Sequence, residues 1–379
     1  MSTRIPAEVF PPGEFILDEL EERGWTQTSL AKITGRPDST ICSIISGKQA
    51  ITEEIAVELA SAFGTSPQFW LNLENAYRLS KVEVKTAAIE HRARMFKAAP
   101  VRDMQKRGWI SVMESAGETE KELINFFEIP SLDQISNLRV AAKASVQNGS
   151  ALTSEQLAWC VRALQLAKSV PAKKYTSKAF EEGVLQLRLL TDFPQNIRKV
   201  PQVLSEMGIR FVLIEHLPKS KIDGAALWLG DEDDWSKPVV ALSLRYDRID
   251  SFWHTLFHEL SHIKNKDSYV VDVDIVGANR CLSDEALSQI ESRANQEAAE
   301  MLIPKEKMES FISRTHPFYY TEKIIQFANL MKIHPGIIAG QLQYRKKIEW
   351  AAHRKMLVKV RDILISGAMT DGWGTTIAK

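Results

Sequence analysis

Residues 258–262 read HELSH, a His-Glu-x-x-His spacing that dictates local structure before anything else about the chain is known. Two imidazoles four residues apart reach one metal ion when the segment is helical, because a helix sets i and i+4 one turn apart on one face. The flanking FWHTLFHELSHIK supports a helix from about Ile249 to Lys264. At about 100° per residue, Phe252, Leu256, Leu260 and Ile263 form one stripe, with His258 and His262 roughly 155° from its centre. The fold must pack the apolar face and present the histidines on the other. Glu259, beside the first imidazole, is suited to take a proton from water activated there. His254 extends the row one turn earlier. Two turns, about 12 Å of rise, separate it from His262, so these two do not share an ion, and His254 reads as a flanking residue.

A catalytic zinc needs a third protein ligand and one open position. The segment IESRANQEAAEMLIP (290–304) offers Glu291 on a helical face with Asn295, Ala298 and Leu302, while Ala294, Ala298 and Ala299 permit close packing on the first helix. Asp284, Glu285, Glu297 and Glu300 are competing carboxylates. Upstream, IRFVLIE (209–215), GAALWL (224–229) and PVVALSL (238–244) are short aliphatic and β-branched runs bounded by Gly, Asp and Pro. Three strands between helices predict an α+β domain, with its second helix from about Asp284 to Ile303.

The first eighty residues differ in kind. Pro12 opens a helix bearing Ile16, Leu17 and Leu20, closed by Gly24, and Thr26 caps a second with Leu30, Ala31 and Ile33, closed by Gly35. A third, roughly Ser39 to Ser46, carries Ile41, Ile44 and Ile45 and ends at Gly47; Thr52 caps a fourth with Ile55, Leu59 and Phe63. Ser66–Pro67 starts a fifth with Phe69, Trp70, Leu73 and Tyr77. The stretch 26–48 has helix-turn-helix spacing, whose second helix enters a DNA major groove. Its early residues Asp38, Ser39, Thr40 and Ser43 would face base edges, and Gln27 and Lys48 the phosphates. Charge works against this: residues 1–80 hold six Lys/Arg and eleven Asp/Glu, a net of −5, whereas 81–112 hold eight and three, a net of +5. An Asp near a base edge repels phosphate or accepts from a cytosine amine.

The remaining organisation follows from length and composition. At 379 residues the chain predicts two or three domains, and 44% apolar against 25% charged residues suits a globular core. Zero net charge leaves no global field for nucleic acid or membrane. The lack of a long apolar run or a signal-like start, and three scattered cysteines (Cys42, Cys160, Cys281), predict a cytoplasmic protein with no membrane partner and no disulfide framework. Residues 81–175 read as a helical linker region, including the capped amphipathic helix TSEQLAWCVRALQLAKS (153–169). The expected divisions are 1–80, 81–175, 176–348, and a tail over 349–379.

Two family resemblances refine these expectations. HELSH followed by E-S-R-A-N-Q-E-A-A-E-M-L-I-P resembles the ImmA/IrrE family of zinc metallopeptidases, whose second helix carries a pattern close to E-x-E-A-N-x-F-A-A-x-L-L-M-P. Over roughly 176–345 the resemblance implies a zincin-like fold binding Zn2+, with His258, His262 and Glu291 as ligands and Glu259 as general base. IHPGIIAGQLQYR (333–345) resembles the family's closing segment. That makes His334 the first candidate to stabilise the oxyanion, ahead of His316, Tyr319 and Tyr320. Arg293 stands where the family has a second acidic residue, and Glu297 replaces the usual aromatic. Residues 11–79, with GTSPQFWLNL at their most specific, resemble HigA-type antitoxins of the lambda-repressor-like helix-turn-helix class. That implies a homodimer on a palindromic double-stranded DNA operator and a possible cognate toxin. Together the resemblances imply a multidomain DNA-binding transcriptional regulator with a zinc endopeptidase that cleaves a specific regulatory protein. The alternative is an antitoxin or repressor whose peptidase fold only senses or binds a partner.

Overall fold

The helix punctuation of the N-terminal region is realised almost residue for residue. In the computed structural model, which describes residues 9–82, 86–138, 145–146, 152–230, 234–267, 270–273 and 285–374, five helices succeed one another at the start. They are α1 (Pro12–Arg23), α2 (Gln27–Thr34), α3 (Asp38–Ile45), α4 (Glu53–Phe63) and α5 (Pro67–Lys81). Thr26, Thr52 and Ser66 each accept a backbone N–H in the first turn of the helix they cap. Gly24, Gly35 and Gly64 end helices in the left-handed conformation, which a residue without Cβ adopts at no steric cost. Ile16, Leu20, Leu30, Ile41, Ile44, Ile55, Leu59, Phe63 and Trp70 form one buried core. Leu17, Ile33 and Phe69, expected on that face, are exposed instead. Each lies at the margin of an apolar stripe, where short helices in a small bundle leave surface uncovered.

The chain forms two compact units, Met1–Ile89 and Glu90–Lys379, so the boundary falls later than the expected residue 80. Next come α6 (Thr86–Ala98), α7 (Val101–Lys106), α8 (Ala116–Phe127), β1 (Ser145–Val146), α9 (Ser154–Lys168), α10 (Ser177–Leu189) and α11 (Val200–Glu206). The region expected as a linker is no spacer. Met95, Met104, Trp109, Phe126, Phe127, Trp159 and Cys160 belong to the same buried cluster as the sheet. Helix α9, opened by a full Thr153–Gln156 capping box, is buried along most of its length.

The strands expected in sequence appear as β2 (Arg210–Ile214), β3 (Ile222–Trp228) and β4 (Pro238–Leu242), followed by α12 (Ile249–Asn265), β5 (Val270–Val273) and α13 (Glu285–Leu302). Helices α14 (Lys305–Thr315), α15 (Thr321–Met331), α16 (Pro335–Tyr344) and α17 (Arg361–Leu364) lead to β6 (Met369–Asp371). The sheet order is β1-β5-β3-β4-β2-β6. Strand β3 is antiparallel to both β4 and β5, whereas β2 runs parallel to β4 and β6. The sheet is thus mixed. The additional strands are two to four residues long, too short for a period-two pattern to be read. Among the described residues no helix is long and apolar enough to cross a membrane. Cys281 and Asp284 lie outside the described residues, as does the side chain of Glu285.

The presumed C-terminal tail is likewise structural. Asp371, fully buried on β6, lies 2.6 Å from Arg162 Nε on α9 and accepts from Trp109 Nε1 at 3.2 Å. One carboxylate therefore joins the middle region, the helical layer and the C-terminus. Asp247 Oδ1 also receives the amides of Val360 and Arg361 at 2.9 and 2.8 Å, docking the segment before α17. Losing one partner of a buried ion pair typically costs about 3–5 kcal/mol. Asp371→Ala is therefore expected to lower the unfolding free energy of the second unit, read from its denaturant midpoint and slope, by an amount in that range. A loss below about 1 kcal/mol would show that residues 369–371 are not part of the cooperative core.

Candidate functional site

Helix α12 places every residue of the HELSH segment out of solvent. Ile249 to Ile263 are buried throughout, apart from the half-buried His254. The side opposite the apolar stripe is covered by α13, with the small Ala294 and Ala298, both fully buried, allowing the close approach expected of them. On the sheet side, the backbone of β3 comes so close at Gly224 that a Cβ there would stand 2.2 Å from Glu259 Oε1. Gly224 therefore makes room for the Glu259 carboxylate against the strand.

His258, His262 and Glu291 converge from α12 and α13, with one ligand atom from each within 4.8 Å of the others. The two Nε2 atoms are 3.0 Å apart. His258 Nε2 is 3.3 Å from Glu291 Oε2, and His262 Nε2 is 3.6 Å from Glu291 Oε1. Tetrahedral zinc with bonds of about 2.0–2.1 Å would hold its donors about 3.3–3.4 Å apart. The set brackets that spacing, and two imidazoles with one carboxylate match the donor chemistry of an open zinc site. The three residues fit the ion.

Two of the competing carboxylates, Glu297 and Glu300, are engaged elsewhere. Glu297 accepts from Ser261 Oγ at 2.8 Å and Asn265 Nδ2 at 3.1 Å, which is how a carboxylate is satisfied where the family pattern has an aromatic. Glu300 is exposed and accepts from Gln296. His254 Nε2 lies 3.2 Å from Asn295 Oδ1, and its ring centroid stands 6.2 Å from that of His258 and 5.9 Å from that of Tyr344. It borders the cluster without entering it.

Sequence reasoning misplaced one residue and missed two. His334, expected near the reacting atoms, is the N-cap of α16, where its Nδ1 accepts the Gly336 amide at 3.1 Å. A Cβ at Gly336 would lie about 3 Å from both that ring nitrogen and Ile249 Cγ2. His334 thus sits beside Ile249 in the first turn of α12, about nine residues or 13 Å of rise before His258 along the helix. Burial holds its imidazole below the usual pKa, opposed by Asp192 and Asp250. Its neutral ring suits a cap acceptor. The missed residues are Asp267, whose Oδ2 lies 2.9 Å from His262 Nδ1, and Arg293, which donates to Asp267 Oδ1 at 2.7 Å. Burial raises the Asp267 pKa, but hydrogen bonds from His262 and Arg293 outweigh it and keep the carboxyl below its ordinary value. A carboxylate five residues after the second histidine was the only signal available.

In the first unit, Gln27, Asp38, Ser39 and Lys48 are exposed, and Thr40 and Ser43 partly so. They line the outer side of α2 and α3, while Ile41 and Ile44 point inward. Arg36, in the turn between these helices, pairs with Glu58 of α4 and so stiffens that turn.

Comparison with known proteins locates relatives for this unit. A helix-turn-helix family profile matches residues 16–70. An uncharacterized HTH-type transcriptional regulator of Escherichia coli, YddM, is 36% identical over 84 residues, which are 22% of this chain and 88% of that protein. Antitoxin HigA-1 of Vibrio cholerae is 38% identical over 68 residues, 18% of this chain and 64% of its own length. A solved addiction module antidote protein of a HigA family from Coxiella burnetii is 37% identical, covering 19% of this chain and 79% of that one, with a TM-score of 0.19. Through its N-terminal fifth, the chain belongs to the helix-turn-helix family of transcriptional regulators.

Proposed function

We propose that the protein is a DNA-binding regulator whose second unit is a zinc-dependent endopeptidase acting on a specific regulatory protein. The observation that carries the enzymatic half is the convergence of His258, His262 and Glu291, with Glu259 on the next residue of the same helix. Zinc bound there supplies a Lewis acid that polarises a peptide carbonyl and lowers the pKa of water. The chain's own groups do the rest. His258, His262 and Glu291 hold the ion, and the packing of α12 between β3 and α13 fixes their spacing. Glu259, kept out of bulk water, takes the proton of the attacking water and passes it to the leaving amine.

The DNA-binding half is supported by family membership and by the polar, outward side of α3. Asp38, Ser39, Thr40 and Ser43 would meet base edges there, with Gln27 and Lys48 on phosphates. We extend this reading to a dimer on a palindromic operator; similarity to an antitoxin, HigA-1, supports the rival reading of an antitoxin-like repressor whose second unit binds or senses a partner.

Purified protein is expected to carry about one zinc per chain, and His262→Ala to lose it. Metal-free wild type by elemental analysis, or equal metal in the variant, would remove the site. Glu259→Gln keeps the three donors, so zinc and fold are expected to survive while peptide cleavage falls by about 10²–10⁴-fold. The comparison is of new peptide termini after incubation with cell extract; if neither protein generates any while both hold zinc, the sensing role replaces the enzyme. For DNA, a footprint over the region upstream of the gene is expected to show a protected palindrome. Lys48→Ala should lower the salt dependence by about one counterion. Absence of protection at low salt would recast the first unit as a protein-interaction module.

A further inference from the structure

We infer that Asp267 is a positioning residue for the metal centre: it accepts the His262 Nδ1–H and so fixes that imidazole with Nε2 turned toward His258 and Glu291, while Arg293 anchors the carboxylate. This rests on the metal-centre reading and adds the element that aims one of its ligands.

The placement is built into the end of α12. Lys266 adopts the left-handed conformation at φ 55, and the chain folds back so that the Asp267 amide donates to the His262 carbonyl at 3.0 Å. That reversal is the six-to-one hydrogen bond of a helix C-cap. It carries the Asp267 side chain alongside the ring of the residue it caps, with Oδ2 2.9 Å from Nδ1. Arg293 Nη2 donates to both carboxylate oxygens, at 2.7 Å to Oδ1 and 2.5 Å to Oδ2. Arg293 is two residues from Glu291 on α13, so one helix supplies both the third donor and the anchor of the anchor.

The protonation pattern follows from the inventory of donors. An ionised carboxylate only accepts, so a neutral His262 facing it carries its proton on Nδ1 and has its lone pair on Nε2. That lone pair is what a metal requires. The same tautomer makes His262 Nε2 the acceptor of the 3.0 Å contact with His258 when no ion intervenes. The His262 ring is fully buried and the Asp267 carboxylate is 10% exposed, so water competes weakly for this hydrogen bond. Arg293 also gives a reason for a cation where the resembling family carries a second acid: an acid at that point would face Asp267 and repel it.

The test compares full-length wild type, Asp267→Ala, Asp267→Asn and His262→Ala. Zinc affinity is measured by chelator competition, the His262 tautomer by imidazole-nitrogen NMR of the metal-free protein, and folding by denaturant midpoint. Asp267→Ala is expected to weaken zinc binding by about 10–100-fold and to abolish the pure Nδ1–H tautomer. Asp267→Asn, which keeps an acceptor oxygen but no charge, is expected to lose less. If Asp267→Ala holds zinc as tightly as wild type while His262→Ala does not, the metal centre stands and the role of Asp267 falls. A lowered midpoint with tautomer and zinc affinity unchanged also overturns it, leaving a purely structural carboxylate. If wild type itself takes up no zinc, the metal reading fails and the inference fails with it.

Discussion

The second unit depends on one constraint: His258, Glu259, His262 and Glu291 are polar or charged, and all are at most 5% exposed. Buried polar groups are costly unless something satisfies them, and a buried cluster of this kind must be assembled from several elements at once. Helix α12 cannot do this alone. It needs β3 to approach at Gly224, α13 to bring Glu291 across on a surface of alanines, and the turn after Asn265 to return Asp267 to His262. Each of these neighbours makes sense as a response to the same burden. Dry walls strengthen electrostatic interactions at the site, which is the condition under which a metal and a general base act most effectively.

A second buried carboxylate does comparable work far along the chain. Asp371 gathers Arg162 and Trp109, and Trp109 stacks on Phe126 with ring centroids 5.9 Å apart. Residues that look like a connector and a tail are thereby part of the core that supports the sheet. Strand β6, which carries Asp371, pairs in parallel with β2, in register from Val212↔Met369 to Ile214↔Asp371. The pairing joins segments far apart in sequence, so its contacts are strongly non-local.

The first unit follows a different logic. Residues 1–80 carry a net charge of −5, unusual for a surface expected to lie on phosphates. Three of their six basic residues are committed to carboxylates, Arg23 to Glu19, Arg36 to Glu58 and Arg78 to Glu74. Residues 81–112, with a net of +5, include exposed Arg92, Arg94, Lys97, Arg102 and Lys106 on α6 and α7.

What the sequence determined was whatever depends on neighbours within one or two turns. Helix starts at Thr26, Thr52 and Ser66 and stops at Gly24, Gly35 and Gly64 were legible because capping and left-handed backbone are local chemistry. The pairing of His258 with His262 was legible for the same reason, as both lie on one helix face. Glu291 was readable as one of several acids, and its selection over Glu297 and Glu300 came from which helical turn of α13 faces α12. Tertiary structure alone decided the rest. The sealing of the histidine face, the capture of Asp267 and Arg293 and the reduction of His334 to a helix cap all depend on contacts between distant segments. The incorporation of residues from 90–138, 152–175 and 349–374 into the core does too. Such contacts leave no periodic trace, because a single buried carboxylate on a three-residue strand has the same sequence signature as one in a solvated tail.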